Sequence, residues 1–162
     1  MSASPWWKGV RGEGWVLVQG VLLALVAFGP RTLAELPPWP GAVAAISGPA
    51  GTFLLLAGGA ISALAALGLG PNLTPLPHPK EGGTLVETGL YGLVRHPIYF
   101  GLIVAAFGWA LAVQGWLTLV YALVLFGFFD LKSRREERWL MGRFPAYAAY
   151  RRRVRRLIPF VY

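Results

Sequence analysis

The chain has 162 residues, 56% of them hydrophobic and only 14% charged, which is too little charge to cover a soluble globule, so lipid must form much of the solvent. Its 15 Lys and Arg against 7 Asp and Glu give a net charge of +8, which in a membrane protein indicates a cytoplasmic face and anionic lipid headgroups rather than nucleic acid. The absence of cysteine excludes disulfides, thiolate nucleophiles and cysteine-based metal sites, and two histidines are too few for a convincing histidine-ligated metal.

Four apolar segments predict a polytopic, all-α membrane protein with about four transmembrane helices. A span needs about 20 residues, including those at the interface, and the segments cover about 14–29, 42–69, 97–113 and 116–129. The first is expected to be a retained helix rather than a signal peptide, because further spans follow. The second is long enough to kink at Gly48-Pro49 or to form two pieces. Only Gln114-Gly115 separates the last two, which predicts an antiparallel helical hairpin.

The basic residues predict the orientation of these spans. With four spans, Arg31 lies on one side of the membrane, and the other Lys and Arg residues lie on the opposite side. Because cytoplasmic loops carry the excess of basic residues, both termini and the loop at 70–96 are expected to be cytoplasmic. The single membrane domain then divides into two spans, a cytoplasmic loop, a hairpin and a cytoplasmic tail, at 1–70, 71–96, 97–131 and 132–162.

The C-terminal tail has the pattern of an amphipathic helix. Its apolar positions recur at helical steps of three and four residues, at Leu140, Phe144, Tyr147, Tyr150, Val154 and Leu157. Five arginines between 151 and 156 form the opposite face, and Pro145 is expected to open a second helical piece. The pattern predicts a helix that lies on anionic lipid.

Two polar clusters border the third and fourth segments. The first is "GGTLVETGLYGLVRHPIYFG", residues 82–101, in which Pro97 starts a helix whose free N–H groups can receive a carboxylate. A plainer interpretation makes it an interfacial collar, with Arg95 snorkelling to the membrane surface. The second is "DLKSRREERWL", residues 130–140, which taken alone indicates a solvated helix face. The hairpin brings His96 and Glu136 side by side, which predicts a pocket with a wet end for a polar cofactor and a lipid end for an apolar substrate.

The combination of "LVETGLYGLVRHPIYFG" and "EERWLMGRFPAYAAYRRRV" resembles the isoprenylcysteine carboxyl methyltransferase family, whose similarity extends to phospholipid N-methyltransferases. These are integral membrane enzymes that use S-adenosyl-L-methionine. The resemblance covers about residues 76 to 159. It implies cofactor contacts at ten positions: Gly83, Thr84, Leu85, Val86, Tyr91, His96, Pro97, Ile98, Tyr99 and Glu136.

The resemblance also implies a substrate contact at Lys132, where the family carries an arginine. Lysine is a point charge without the bidentate fork of arginine, so this chain departs from the family in how it would bind a carboxylate. Gly83 likewise stands where the family often has a histidine. His78 and Lys80 are expected at the edge of the pocket. The sequence leaves three candidates for a catalytic role, Lys132, Glu137 and His96.

The expected function is therefore S-adenosylmethionine-dependent methyl transfer to a lipid or lipophilic small molecule, with a carboxylate or amine head, at the cytoplasmic face. No G-x-G-x-x-G follows a strand, which excludes a soluble Rossmann-type methyltransferase, and no metal site is expected. Two alternatives stay open: an NADPH-dependent reductase similar to membrane sterol reductases, and a non-catalytic module whose basic tail binds anionic lipid. The sequence does not select the methyl acceptor, the base or the oligomeric state.

Overall fold

The computed structural model describes residues 12–74, 76 and 82–162. Over these residues the chain is all-helical, so the predicted all-α class is confirmed. Its five α-helices are α1 (Glu13–Phe28), α2 (Gly41–Leu69), α3 (Pro97–Ala112), α4 (Trp116–Arg143) and α5 (Tyr147–Arg153). Short 3-10 helices lie at Gly70–Asn72 and Gly89–Gly92. In place of strands, the described part of the chain has an isolated parallel bridge between Val94 and Arg155.

Two helices in the described ranges are long and apolar enough to cross a bilayer. They are Gly41–Asn72, which is α2 with its 3-10 extension, and α4. The helices α1 and α3 are also apolar but shorter. Large apolar side chains on α2 face outward, for example Ile46, Phe53 and Leu56. A surface of this kind is unfavourable in water and suits a lipid or protein neighbour.

The second apolar segment is one helix rather than two pieces. Pro49 lies inside α2, where it lacks the N–H that an intrahelical hydrogen bond requires. The helix nevertheless continues on both sides of Pro49.

Four glycines let α2 pack closely on α3. A Cβ added at Gly58 would lie 2.5 Å from the carbonyl oxygen of Gly101, and one at Gly51 would lie 2.6 Å from that of Gly108. The pairing runs in opposite directions along the two helices, so they are antiparallel. Small residues such as Gly101 and Gly108 let neighbouring helices in a membrane approach closely.

A short connection, residues 113–115, joins α3 to α4. Gln114 adopts a positive φ of 53°, and its side-chain Nε2 donates a hydrogen bond to the carbonyl oxygen of Ala44 at 2.9 Å. The connection therefore packs against the start of α2. Beyond it, α4 runs without a break from the apolar residues into the polar stretch that begins at Asp130.

The tail does not form the predicted helix along the lipid. The helix α5 ends at Arg153, and Val154 is extended. The reason is that residues 94–96 offer alternative partners: the backbone N–H of Arg95 donates to the carbonyl oxygen of Arg155 at 2.8 Å. The apolar stripe of the tail turns inward and forms a cluster within the protein, composed of Tyr147, Tyr150 and Val154 with Leu85, Leu140 and Phe144. The prediction that this stripe lies on lipid was wrong, because the loop before α3, which contains Leu85, covers it.

Candidate active site

A cavity of about 340 Å³ lies where the loop 82–95, the start of α3, the polar half of α4 and α5 meet. It is lined by ten of the eleven residues that the resemblance assigns to cofactor or substrate: Gly83, Thr84, Leu85, Val86, Tyr91, His96, Ile98, Tyr99, Lys132 and Glu136. The eleventh, Pro97, is buried as the first residue of α3. His78 and Lys80 lie outside the described residues.

Glu136 joins α4 to the start of α3. The hydroxyl of Tyr99 donates a hydrogen bond to Glu136 Oε2 at 3.0 Å, and His96 Nδ1 lies 3.6 Å from the same oxygen. The ring of Tyr99 stacks between those of His96 and Phe129, with centroids 5.5 and 4.6 Å away. Stacking on both faces fixes the tyrosine, so the position of the carboxylate of Glu136 is well defined.

Glu137, the next residue, does not line the cavity. Its Oε1 accepts a hydrogen bond from Arg95 Nε at 2.7 Å and lies 3.3 Å from His96 Nε2. Arg95 also donates to the carbonyl oxygens of Arg151 and Val154 in the tail. The snorkelling interpretation of Arg95 is therefore wrong. Its side chain is only 8% exposed and connects the start of α3, α4 and the tail.

Lys132 places a buried ammonium group at the α1 side of the cavity. Its side chain is 1% exposed, and Nζ donates a hydrogen bond to Gln19 Oε1 at 2.5 Å. Nζ also lies 5.3 Å from the ring centroid of Tyr99, a cation–π distance. Gln19 was not predicted from the sequence, although it is an isolated polar side chain in the apolar run of α1. A lone polar side chain in an apolar helix was the feature of the sequence that could have indicated a polar partner for it.

The loop is held at both ends of its extended part. The backbone N–H of Thr84 donates to Asn72 Oδ1 at 3.0 Å, and Glu87 forms an ion pair with Arg153 at 2.6 Å. Gly82 and Gly89 turn the chain with positive φ values of 77° and 61°, a conformation that glycine adopts readily. Asn72 was also missed, because nothing in the sequence links it to a loop ten residues later.

Three tyrosines close the side of the cavity nearest the tail. The hydroxyl of Tyr91 donates to the carbonyl oxygen of Ala65 at 3.3 Å, and that of Tyr150 donates to the carbonyl oxygen of Tyr91 at 2.6 Å. Burial raises the pKa of Tyr91, Tyr147 and Tyr150 above that of a free tyrosine, so all three stay neutral at physiological pH. Tyr147 and Tyr150 were missed as cavity residues because their helical stripe was assigned to lipid.

The start of α3 adds backbone donors to this set. The N–H groups of Ile98 and Tyr99 lie in the first turn, where a helix provides no acceptor for them, and both residues line the cavity. The helix dipole favours a negative group at the same place. Backbone donors, the carboxylate of Glu136 and the apolar side chains of Leu69 and Phe144 together suit a ligand with charged and apolar parts.

An all-helical chain with bilayer-length apolar helices, and at one end of them a cavity whose apolar lining carries a few charged groups, has the features of a membrane protein with a ligand site. Comparison with known sequences gives the family. The sequence profile of the phospholipid methyltransferase family matches residues 47–146, more than half of the chain, and the chain belongs to this family. The match includes most of α2, all of α3 and α4, and the loop between α2 and α3, which together supply most of the cavity.

Three relatives show the range of similar proteins. A protein-S-isoprenylcysteine O-methyltransferase of Schizosaccharomyces pombe is 37% identical over 79 residues, which cover 48% of this chain and 34% of the relative. A protein of the same name from Rattus norvegicus is 30% identical over 120 residues, covering 69% of this chain and 41% of the relative. The cobalt-zinc-cadmium resistance protein CzcN of Cupriavidus metallidurans is 34% identical over 85 residues, covering 49% and 38%. The chain thus spans well under half the length of each of these relatives.

Proposed function

We propose that this chain is a multi-span membrane methyltransferase that uses S-adenosyl-L-methionine and methylates a lipid or lipophilic small molecule. The observation that carries the proposal is the arrangement of His96, Tyr99 and Glu136 at a cavity that the loop 83–86 also lines. Family membership supports methyl transfer as the reaction. The acceptor's head is a carboxylate or an amine.

The cavity fits the chemistry of this cofactor. S-Adenosylmethionine supplies an electrophilic methyl group on a sulfonium, together with an ammonium, a carboxylate and a ribose. The first N–H groups of α3 suit the carboxylate, whereas Glu136 suits the ammonium or the ribose hydroxyls. Leu85 and Phe144 offer apolar surface for the adenine ring of the cofactor. The chain's part in the reaction is to bind and orient the cofactor and the acceptor and to exclude water, which is how a protein promotes in-line displacement.

The three candidates for a catalytic role then divide by position. Glu137 is buried behind His96 and acts as a positioning residue for it. His96 lines the cavity, with a carboxylate near each ring nitrogen, so it can hold the proton that an amine acceptor must lose. A carboxylate acceptor needs no base. Lys132, at the other side of the cavity, is placed to attract an anionic acceptor head.

The surroundings of the cavity support an acceptor with a hydrocarbon tail. Leu23 and Leu102 lie one helical turn beyond the cavity residues Gln19 and Ile98, on α1 and α3. Both line a second, apolar groove of about 480 Å³ that Leu55 on α2 and Trp109 also border. Because the groove begins one helical turn from the cavity on two helices, we assign it to the acceptor's tail.

The proposed topology has four spans, α1 to α4, with both termini and the active site cytoplasmic. Its support is the distribution of charge. Arg151, Arg152, Arg153 and Arg155 are exposed beside the cavity, whereas Arg31 lies at the other end of the helices, where it covers the ring of Trp109 at 5.6 Å. The side richer in basic residues is the cytoplasmic one.

Calorimetric titration of the detergent-purified protein with S-adenosylmethionine tests the proposal. The wild type is expected to bind, and Glu136→Gln to bind about 10- to 100-fold more weakly, because a hydrogen bond to a charged group contributes about 1.5–3 kcal/mol. Asp130→Asn is the matched control. This carboxylate lies on the same helix but pairs with Arg134 and Arg156 away from the cavity, so its loss leaves the Kd unchanged. Absence of binding by the wild type, or equal binding by Glu136→Gln, overturns the proposal.

A further inference from the structure

Gln19 is the residue that α1 contributes to the described wall of the cavity. Polar side chains are costly in apolar membrane helices and are retained mainly where they face a partner or a ligand. The family profile matches from residue 47 onward, so α1 lies outside the match and family membership assigns no role to Gln19. Its role has to follow from its own contacts.

The contact between Gln19 and Lys132 joins α1 to α4. Lys132 Nζ donates a hydrogen bond to Gln19 Oε1 at 2.5 Å, and the same ammonium group lies over the ring of Tyr99. Because an ammonium group donates and does not accept, this bond fixes the amide of Gln19 with its oxygen towards Lys132. The neutral oxygen receives a donor of the buried ammonium group without adding a negative charge, so the pair as a whole is positive.

The two members of the pair differ in exposure. Lys132 is 1% exposed, whereas Gln19 is partly exposed, and both line the cavity. A ligand head at this wall of the cavity therefore contacts Gln19, with the ammonium group one hydrogen bond behind the amide. In surroundings of low dielectric constant, the charge of that ammonium group acts over such a distance.

The position of the pair indicates which ligand it meets. Leu23 lies one helical turn beyond Gln19 on the same face of α1, and it borders the apolar groove proposed for the acceptor's tail. An acceptor whose tail lies in that groove brings its head to Gln19 and Lys132. The pair therefore belongs to the acceptor's part of the cavity.

We propose that Gln19 determines which acceptor head the site prefers: it holds the ammonium group of Lys132 without neutralising it, and so favours an anionic head; this rests on the proposed function. An acidic residue at position 19 would instead form an ion pair with Lys132 and offset its charge. Selection of the head is thus exerted by α1 together with α4, and not by Lys132 alone.

Titration with two single-chain amphiphiles tests this preference. Dodecanoate and dodecylamine share one tail length and carry heads of opposite charge at neutral pH. The protein is first saturated with S-adenosylhomocysteine in an uncharged detergent. The wild type is expected to bind dodecanoate more tightly than dodecylamine. In Gln19→Glu, the ratio of the two affinities is expected to fall by about 10- to 100-fold, the effect of one charged contact.

Two further variants separate charge from structure. Gln19→Met has nearly the shape of glutamine and adds no charge, so dodecanoate should still be the tighter ligand. Lys132→Gln removes the positive charge and should lower the ratio as Gln19→Glu does. General damage to the cavity weakens the binding of both amphiphiles and leaves their ratio unchanged, so the ratio reports the charge at this wall.

A wild type that binds neither amphiphile, or that prefers dodecylamine, overturns the inference. A ratio in Gln19→Glu or Lys132→Gln equal to that of the wild type also overturns it. So does an equal fall in Gln19→Met and Gln19→Glu, since loss of the amide and not the added charge is then responsible. Failure of the wild type to bind S-adenosylhomocysteine refutes the proposed function instead.

Discussion

The two adjacent glutamates of α4 show how neighbours assign different roles to one residue type. Glu136 reaches the cavity, where Tyr99 and His96 hold one of its oxygens. Glu137 points to Arg95 and is shielded from the cavity by His96. An ion pair as buried as that of Arg95 and Glu137 is costly to break, because the remaining charge is left without a partner. Glu136 is therefore suited to binding and Glu137 to holding the site together.

The buried tyrosines predict that stability falls at alkaline pH. The pKa of these tyrosines is raised in the folded state. Their contribution to the free energy of unfolding is therefore fully present below the pKa of tyrosine in the unfolded chain, about 10, and is lost as the pH rises above it. Each tyrosine contributes up to about 1.4 kcal/mol per pH unit. Chemical unfolding in detergent at pH values on either side of 10 measures this loss. Tyr150→Phe should show a shallower decline, and a decline equal to that of the wild type would contradict the account.

At the scale of elements, glycines determine how α2 meets α3. Gly51 and Gly58 on one helix face Gly108 and Gly101 on the other, at a distance that leaves no room for a side chain. In lipid, close packing of this kind replaces the hydrophobic effect as the force between helices. Since α3 carries Tyr99 and begins directly after His96, this packing also positions one wall of the cavity.

A pair of neighbouring glycines on α2 tests the packing. Gly58→Ala places a Cβ against the backbone of Gly101 and Ala105 and should destabilise the protein by about 1–3 kcal/mol. Gly59→Ala is the control, because no atom lies within 4 Å of its Cβ, and alanine favours a helix more than glycine does. Thermal unfolding of both variants in the same detergent gives the comparison. Equal melting temperatures would show that the close approach is not required.

The elements also show what a sequence can and cannot specify. Apolar runs and Pro97 predicted the helices, because length and hydrophobicity act locally. The resemblance assigned cofactor and substrate contacts to residues that line one cavity, because these residues belong to motifs whose spacing can be read from the sequence. The path of the tail was mispredicted: an apolar stripe indicates that a face is covered, but not whether lipid or protein covers it. The partners Gln19 and Asn72 depend on contacts between distant segments, which no local pattern contains.

At the scale of the whole molecule, the charge distribution predicts the orientation. The natural chain contains no cysteine, so Arg31→Cys and Arg152→Cys give single, exposed thiols at opposite ends of the helices. A membrane-impermeant maleimide should label Arg152→Cys from the cytoplasmic side and Arg31→Cys from the other side. Labelling of both from one side would contradict the four-span topology.

The reaction that we propose for this chain is the transfer of a methyl group from S-adenosylmethionine to a lipophilic acceptor. Incubation of the purified protein with methyl-labelled cofactor and a total lipid extract, followed by mass analysis of the organic phase, tests it most directly. We expect a lipid or lipophilic small molecule that carries one added labelled methyl group, at wild-type level with Asp130→Asn and strongly reduced with Glu136→Gln. No labelled product in the organic phase, or equal product from Glu136→Gln, would contradict it.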